Sequence, residues 1–263
     1  ACGASPIMAD DKDEVSDIQT ICGGLNINIG TLNSRTIESM LLAGKRANEL
    51  GHPVVLDPVG AGASKLRTET ANQLLKEVRF TVIRGASSLR TGTAKELMAK
   101  IKFDVIRGNI SEIKTLALGN GTTKGVDADL ADRVTKENLD EAAAFAKAFA
   151  GKMNAVVAIT GAIDIVADAE KAYCIYNGRP EMSSITGTGC QLSALTAAFV
   201  TANQEQPLEA AAAAVCAMGL AGETAYARLS ELDGNATYRN YIIDAIYRMN
   251  GEALEAGAKF EVR

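Results

Sequence analysis

The run Thr186-Gly187-Thr188-Gly189-Cys190 leads straight into an apolar helical pattern. Two glycines let the backbone come close to a ligand. A helix N-terminus behind them offers unpaired N–H groups and the positive end of the helix dipole. Together these features form an anion hole, suited to the charge that develops on a phosphoryl group in transfer. The same residues also serve as a plain turn that caps a helix, and a short Gly-rich turn is a weak motif by itself. No Gly-Lys-Ser/Thr follows, so this is not a Walker A loop. Gly187, Gly189 and Cys190 are the catalytic candidates.

Three other clusters fall at the ends of apolar strand-like runs. Asp57-Pro58-Val59-Gly60-Ala61-Gly62 follows Pro53–Leu56, and ligands of open α/β sheets bind outside the carboxyl ends of strands. Asp57 there suits a hydrated Mg²⁺, which takes one or two carboxylates plus phosphate oxygens. It equally suits the cap of the turn before Pro58. In Arg107-Gly108-Asn109-Ile110-Ser111-Glu112, Arg107 can pair with phosphate and Glu112 can hold a metal-bound water. Asn109 and Glu112 also have the spacing of a capping box, and both readings can hold together. Thr160-Gly161 either meets a nucleotide phosphate or turns the chain.

These candidates need a scaffold of strands and helices. Leu25–Ile29 reads as a strand, and 34–50 as a helix closed by Gly51. Another buried strand covers 155–159. Runs 163–167 and 172–175 read as a hairpin at the sheet edge. The last third is helical, over 191–201, 208–229 and 238–249. Strand, helix, strand in this rhythm implies right-handed βαβ units on a mostly parallel sheet. The class expected is α/β, in a single domain spanning 1–263.

Residues 63–85 read ASKLRTETANQLLKEVRFTVIRG and residues 86–108 read ASSLRTGTAKELMAKIKFDVIRG. These are adjacent tandem copies of one helix-strand unit. Ala71, Leu74, Leu75 and Val78 make a helical face, which Ala94, Leu97, Met98 and Ile101 repeat. Two copies are too few for a solenoid, so the reading is a duplicate inside a globular domain, with only one copy in a slot built for one strand. The second copy runs into Asn109 and Glu112 whereas the first does not. That favours Arg107 over Arg84 as the functional arginine.

Composition narrows the function. The chain has 263 residues, 47% of them hydrophobic, no Trp and a net charge of −5. With no long basic run, nucleic acid is not an expected partner. The five cysteines form no CxxC pair, which argues for neither a disulfide framework nor zinc and points to a reducing cytoplasm. His52 is the single histidine, so a two-histidine metal site is excluded and a local structural role is expected. The apolar helical stretch 210–221 is too short for a membrane span, and no signal peptide is visible.

Several motifs taken together are more specific than any one of them. GASPIMAD, LNINIGTLNSRTIESMLLAGKRANELG, PVVLDPVGAGASKLRTET, VIRGNISEI, VAITGAIDIVAD, ITGTGCQLSAL and the tail from GNATYRNY onward run nearly the whole length. In this order they resemble the hydroxyethylthiazole kinase family of the ribokinase-like superfamily. The resemblance implies a three-layer αβα fold. It also implies phosphorylation of the hydroxyl of 4-methyl-5-(2-hydroxyethyl)thiazole by Mg-ATP in thiamine salvage, with a homotrimer as the assembly and sites shared between neighbours. It places Met8 and Gly187 against the thiazole, Arg107 and Thr160 against ATP, and Asp57 and Glu112 around Mg²⁺. Cys190 stands where most ribokinase-like enzymes carry an Asp base. A thiol at a helix N-terminus can have a lowered pKa, yet it matches the role of base less well than a carboxylate. The family pattern carries a strand and helix ahead of GASP, so an unpaired sheet edge is expected here. The duplicate is not part of that pattern. A kinase of another small heterocyclic alcohol and a non-catalytic scaffold are the competing readings.

Overall fold

The computed structural model describes residues 1–61, 63–84, 103–118 and 133–263. Among them lies one eight-stranded sheet in sequential order. Its strands are β1 (Leu25–Asn28), β2 (Val54–Asp57), β3 (Val82–Arg84), β4 (Val105–Asn109), β5 (Val156–Thr160), β6 (Asp164–Ala167), β7 (Ala172–Ile175) and β8 (Phe260–Val262). The first five are parallel, and β6 to β8 follow antiparallel.

Side chains alternate across this sheet and build a core on each face. Ile27, Leu56, Ile83, Ile106, Val157 and Ile159 face one way. They pack with α2 (Ser34–Glu49), α3 (Lys65–Glu77), α4 (Ile110–Leu118) and α5 (Leu139–Met153). Val55, Val82, Val105, Val156 and Val166 face the other way, toward α6 (Thr188–Ala202), α7 (Pro207–Tyr226) and α8 (Asn235–Arg248). Helices cover both faces, which makes three layers. The expected α/β class and mostly parallel sheet therefore hold. Short α1 (Val15–Ile21) and α9 (Gly251–Gly257) complete the helices among the described residues.

Local chemistry explains most boundaries. Asn33 caps α2 by accepting from the Arg35 and Thr36 amides, and the Thr36 hydroxyl answers the Asn33 amide. Gly51 follows α2 at φ +72°, the left-handed position glycine favours after a helix. The Ala71, Leu74, Leu75 and Val78 face is buried, as its spacing predicts. Its counterpart Ala94, Leu97, Met98 and Ile101 lies outside the described residues. His52 has a structural partner from α1 rather than a sequence neighbour, with Gln19 Nε2 at 3.0 Å from its Nδ1.

Three expectations need correction. The hairpin of β6 and β7 is not the sheet edge, because β8 from the tail pairs with β7. Phe260 meets Tyr173 edge-to-face at 5.6 Å there. The apolar helix α7 runs for 20 residues, long and apolar enough to cross a membrane by length and composition. Its apolar surface is instead largely buried within the protein, where Ala211, Ala214, Val215 and Ala221 fill the second core.

The third correction concerns the repeat. Strands from both copies lie in the sheet, side by side. Val82 pairs with Val105, Ile83 with Ile106 and Arg84 with Arg107, so each residue meets its own duplicate. Both strands have the same inward and outward pattern, and Phe80 and Phe103 are both buried at their entrances. A strand identical in pattern to its neighbour can be added to a parallel sheet without turning any apolar side chain to water. The slot that one strand would fill between β2 and β5 therefore holds two. The expected unpaired edge is β1, which pairs only with β2 among the described residues.

Because each copy carries the same strand, one of them suffices to bridge β2 and β5. Excision of residues 86–108, joining Gly85 to Asn109, is expected to leave a protein with a single cooperative thermal transition by circular dichroism. Loss of that transition would show that the two strands are not interchangeable.

Candidate active site

Five parallel strands end at one rim of the sheet. Their last residues are Asn28, Asp57, Arg84, Asn109 and Thr160. The turn before α6 approaches this rim. Gly187 is the N-cap of α6 at φ +97°, and no side chain caps the helix. The first amides of α6 thus have no intrahelical partner, as an anion hole requires. An alanine at 187 would be forced into the left-handed region, a strain of about 1–2 kcal/mol.

Asp57 and the arginine ladder lie on the α6 face of the sheet. Asp57 is fully buried. Its Oδ1 accepts from Arg84 Nη1 at 3.2 Å, and its Oδ2 accepts from Asn28 Nδ2 at 3.1 Å. Arg84 Nη1 also stands 3.7 Å from Cys190 Sγ. A Cβ built on Gly189 would lie 2.7 Å from Arg84 Nη2. The missing side chain of Gly189 is what lets the guanidinium lie against the first turn of α6. Burial works against the Arg84 charge, yet the Asp57 and Glu112 carboxylates outweigh it and hold its pKa above the ordinary value.

Arg107 occupies the next position on the ladder and has different work. It is buried, and its Nη2 donates to the Gly189 carbonyl at 2.7 Å and to Ser193 Oγ at 2.8 Å. It braces the turn that forms the anion hole. Burial first, and then the neighbouring Arg84 charge, push it down to about 10. Glu112 is buried and engaged in the expected capping box: its Oε2 accepts from the Asn109 amide at 2.9 Å, and Asn109 Oδ1 accepts from the Glu112 amide at 2.8 Å. Thr160 pairs with Asn109 across β4 and β5.

The Cys190 thiol is not activated. Burial, and next the Asp57 charge, push its pKa up rather than down. Cys190 therefore remains a neutral thiol near neutral pH. Met8 is not drawn into the cluster; it is 92% exposed. The segment that carries it is tied to the start of α2 by Asp10 and Arg35, 3.1 Å apart.

Two further groups shape the rim without having been singled out from sequence. Asn28 holds the buried Asp57 and, through its Oδ1, the Gly30 amide at 2.8 Å. Its position at the last residue of a strand is the same signal that marks Asp57. Arg67 donates to the Gly30 carbonyl at 2.7 Å and the Val59 carbonyl at 3.4 Å, pinning the loops after β1 and β2 together.

As a metal site the rim fits poorly. Asp57 already accepts from Arg84 and Asn28, and no three His, Cys, Asp or Glu side chains converge among the described residues. Asp57 and Glu112 do not form a ready divalent-ion site. What the rim offers is fixed positive charge beside the uncapped start of α6.

A three-layer α/β sheet with a glycine-bounded helix N-terminus at its strand ends defines a small-molecule kinase framework. The Hydroxyethylthiazole kinase family model matches residues 1–88 and 85–252, two stretches that meet where the tandem copies meet. The chain is 59% identical over 261 residues to the hydroxyethylthiazole kinase of Clostridium acetobutylicum, covering 99% of this chain and 87% of that protein. With the Clostridium tetani protein of the same name the identity is 42% over 259 residues, covering 98% and 85%. The solved hydroxyethylthiazole kinase structure from Pyrococcus horikoshii superposes with a TM-score of 0.69 at 33% identity, covering 99% and 85%. The chain belongs to the hydroxyethylthiazole kinase family, and its fold is ribokinase-like.

Asp164 accepts from the Gly161 amide at 2.7 Å and so shapes the turn after Thr160. Burial pushes its carboxyl up to about 7, against the pull of the Gly161 amide and Arg107. An unfolded Asp titrates near 4, at about 3.9. The folded state therefore keeps its proton longer, and stability falls as pH rises between these values. Asp164→Asn is expected to raise the melting temperature above pH 7. The gain should shrink as pH falls and vanish near pH 4. A gain independent of pH would rule out the titration.

Proposed function

We propose that this protein transfers the γ-phosphoryl group of ATP to the primary hydroxyl of 4-methyl-5-(2-hydroxyethyl)thiazole in thiamine salvage. The observation that carries the reading is the uncapped Gly187 turn, whose first helical residues Gly189 and Cys190 lie against Arg84, itself paired with Asp57 at the strand ends. The names of its relatives supply the acceptor. The hydroxyl oxygen bonds to the γ-phosphorus, and the bond from phosphorus to the β–γ bridging oxygen breaks with its electron pair left on ADP. In a loose transition state the hydroxyl stays protonated until late, so its proton passes to an oxygen of the transferred group and then to water. No strong base is needed, which suits a neutral Cys190 beside the hydroxyl. The amides of α6 take up the charge on the phosphoryl oxygens, and positioning supplies much of the rate.

The thiazole rests against Gly187. Thr160 faces the nucleotide, and Arg107 serves it by holding the α6 turn. Relatives of this kind imply Mg²⁺ with ATP. ATP would be used with Mg²⁺, which would supply counter-charge to the phosphates, and Glu112 would hold a metal-bound water. The exposed Met8 and Ile7 fit a homotrimer in which a neighbouring copy covers the thiazole end of the site. The free cysteines favour the reducing cytoplasm.

Purified protein with ATP, Mg²⁺ and a panel of heterocyclic alcohols tests this reading. Turnover is expected to be highest with hydroxyethylthiazole. Preference for a hydroxymethylpyrimidine would replace the acceptor. No turnover, together with no rise in melting temperature on adding ATP, would leave only a scaffold. In the same assay Cys190→Asp is expected to retain activity within about tenfold, because general-base assistance is not limiting here. Complete loss in a folded Cys190→Asp protein contradicts the place given to Cys190.

A further inference from the structure

The tandem copy brings a second arginine to the rim, and the two are not equivalent. Arg107 spends its Nη2 on Gly189 and Ser193 inside the protein. Arg84 keeps 20% of its side chain exposed, beside fully buried Asp57. Its guanidinium bridges the carboxylate, the thiol of Cys190 and the side-chain-free surface of Gly189. Those are the groups among which a phosphoryl group would pass.

We propose that Arg84 is a catalytic residue of this chain: the fixed cation at Asp57, standing where a divalent ion would otherwise sit, and the donor to the phosphoryl oxygens in transfer. Asp57 is then the anchor of Arg84 and not a metal ligand.

The geometry argues this in three ways. Mg²⁺ demands near-octahedral oxygens at about 2.0–2.1 Å and keeps several waters. Asp57 has neither a free oxygen nor contact with water, since Arg84 and Asn28 hold it and it is wholly buried. Admitting an ion would mean expelling a guanidinium that is charged at any working pH. Arg84 also presents a planar fork, a better match to phosphate oxygens than a point charge. Finally, Arg84 pairs in register with Arg107 of β4, and the residue before it, Ile83, pairs with Leu56 of β2, so sheet pairing holds its backbone. Arg84 contributes charge and N–H donors only. The bond made is acceptor oxygen to phosphorus, and the bond broken is phosphorus to the ADP oxygen.

The rate prediction rests on the phosphoryl-transfer reading above, whereas metal binding at Asp57 can be measured without turnover. Mn²⁺ alone, followed by electron paramagnetic resonance with the full chain and no nucleotide, is the probe. Wild type and Asp57→Asn are expected to bind Mn²⁺ alike. Arg84→Gln should gain a Mn²⁺ site that Arg84→Gln/Asp57→Asn lacks. With ATP and hydroxyethylthiazole, Arg84→Gln should lower kcat about 100-fold, as loss of one charge-stabilising donor does, and Arg84→Lys should recover part of it. Mn²⁺ binding to wild type that disappears in Asp57→Asn overturns the proposal. So does a folded Arg84→Gln with unchanged kcat. If Arg84→Gln fails to fold, the comparison of wild type with Asp57→Asn still decides.

Discussion

The pairing of β3 with β4 is the constraint on which the rest of the rim depends. Each residue of one strand lies beside its own copy in the other. Because adjacent parallel strands at one level point their side chains the same way, Arg84 and Arg107 must share a face. Both then meet the first turn of α6. The same pairing sets β2 and β5 three strand spacings apart, about 14 Å at about 4.8 Å each. A sheet with a single copy would set them one spacing closer. The carboxylate half of the site, at Asp57, and the half at Thr160 are therefore further apart than one strand would leave them.

Charge explains how two neighbouring arginines are tolerated. Isolated charges are costly to bury, and a buried ion pair broken on one side loses about 3–5 kcal/mol. Arg84 has Asp57 against it and Glu112 within electrostatic reach. Arg107 has two neutral acceptors and weaker help from the same carboxylates, so its charged form is the less favoured of the two. The difference separates a group that can face a ligand from one that fixes a turn. It also bears on Cys190, where burial and the neighbouring Asp57 charge disfavour a thiolate.

Much of this was legible in the sequence, where local rules suffice. Gly187 and Gly189 before an apolar run point to a turn at a helix N-terminus, and α6 begins there without a side-chain cap. Asn109 and Glu112 have capping-box spacing and form both bonds. Asp57 and Thr160 end strands, as the apolar runs before them indicate. What was not legible depends on pairing between distant segments. The Asp57–Arg84 contact joins residues from different strands, and nothing local in Arg-Gly distinguishes Arg84 from Arg107. The motif context around Arg107 pointed to that residue alone, whereas the sheet brings in both. β8 escaped because three residues carry too little pattern, and its partner β7 lies far away in the chain. Asn28 had the right position but no charge to draw notice. The helix read over 208–229 is there as α7, over Pro207–Tyr226.

The central claim is that both copies contribute a paired strand to one sheet. Native-state amide hydrogen exchange reads this directly, since amides in an interior parallel ladder exchange only through large-scale opening. The account predicts slow exchange, of similar magnitude, for Val82–Arg84 and for Val105–Asn109. Strong protection of one segment with rapid exchange in the other would contradict it.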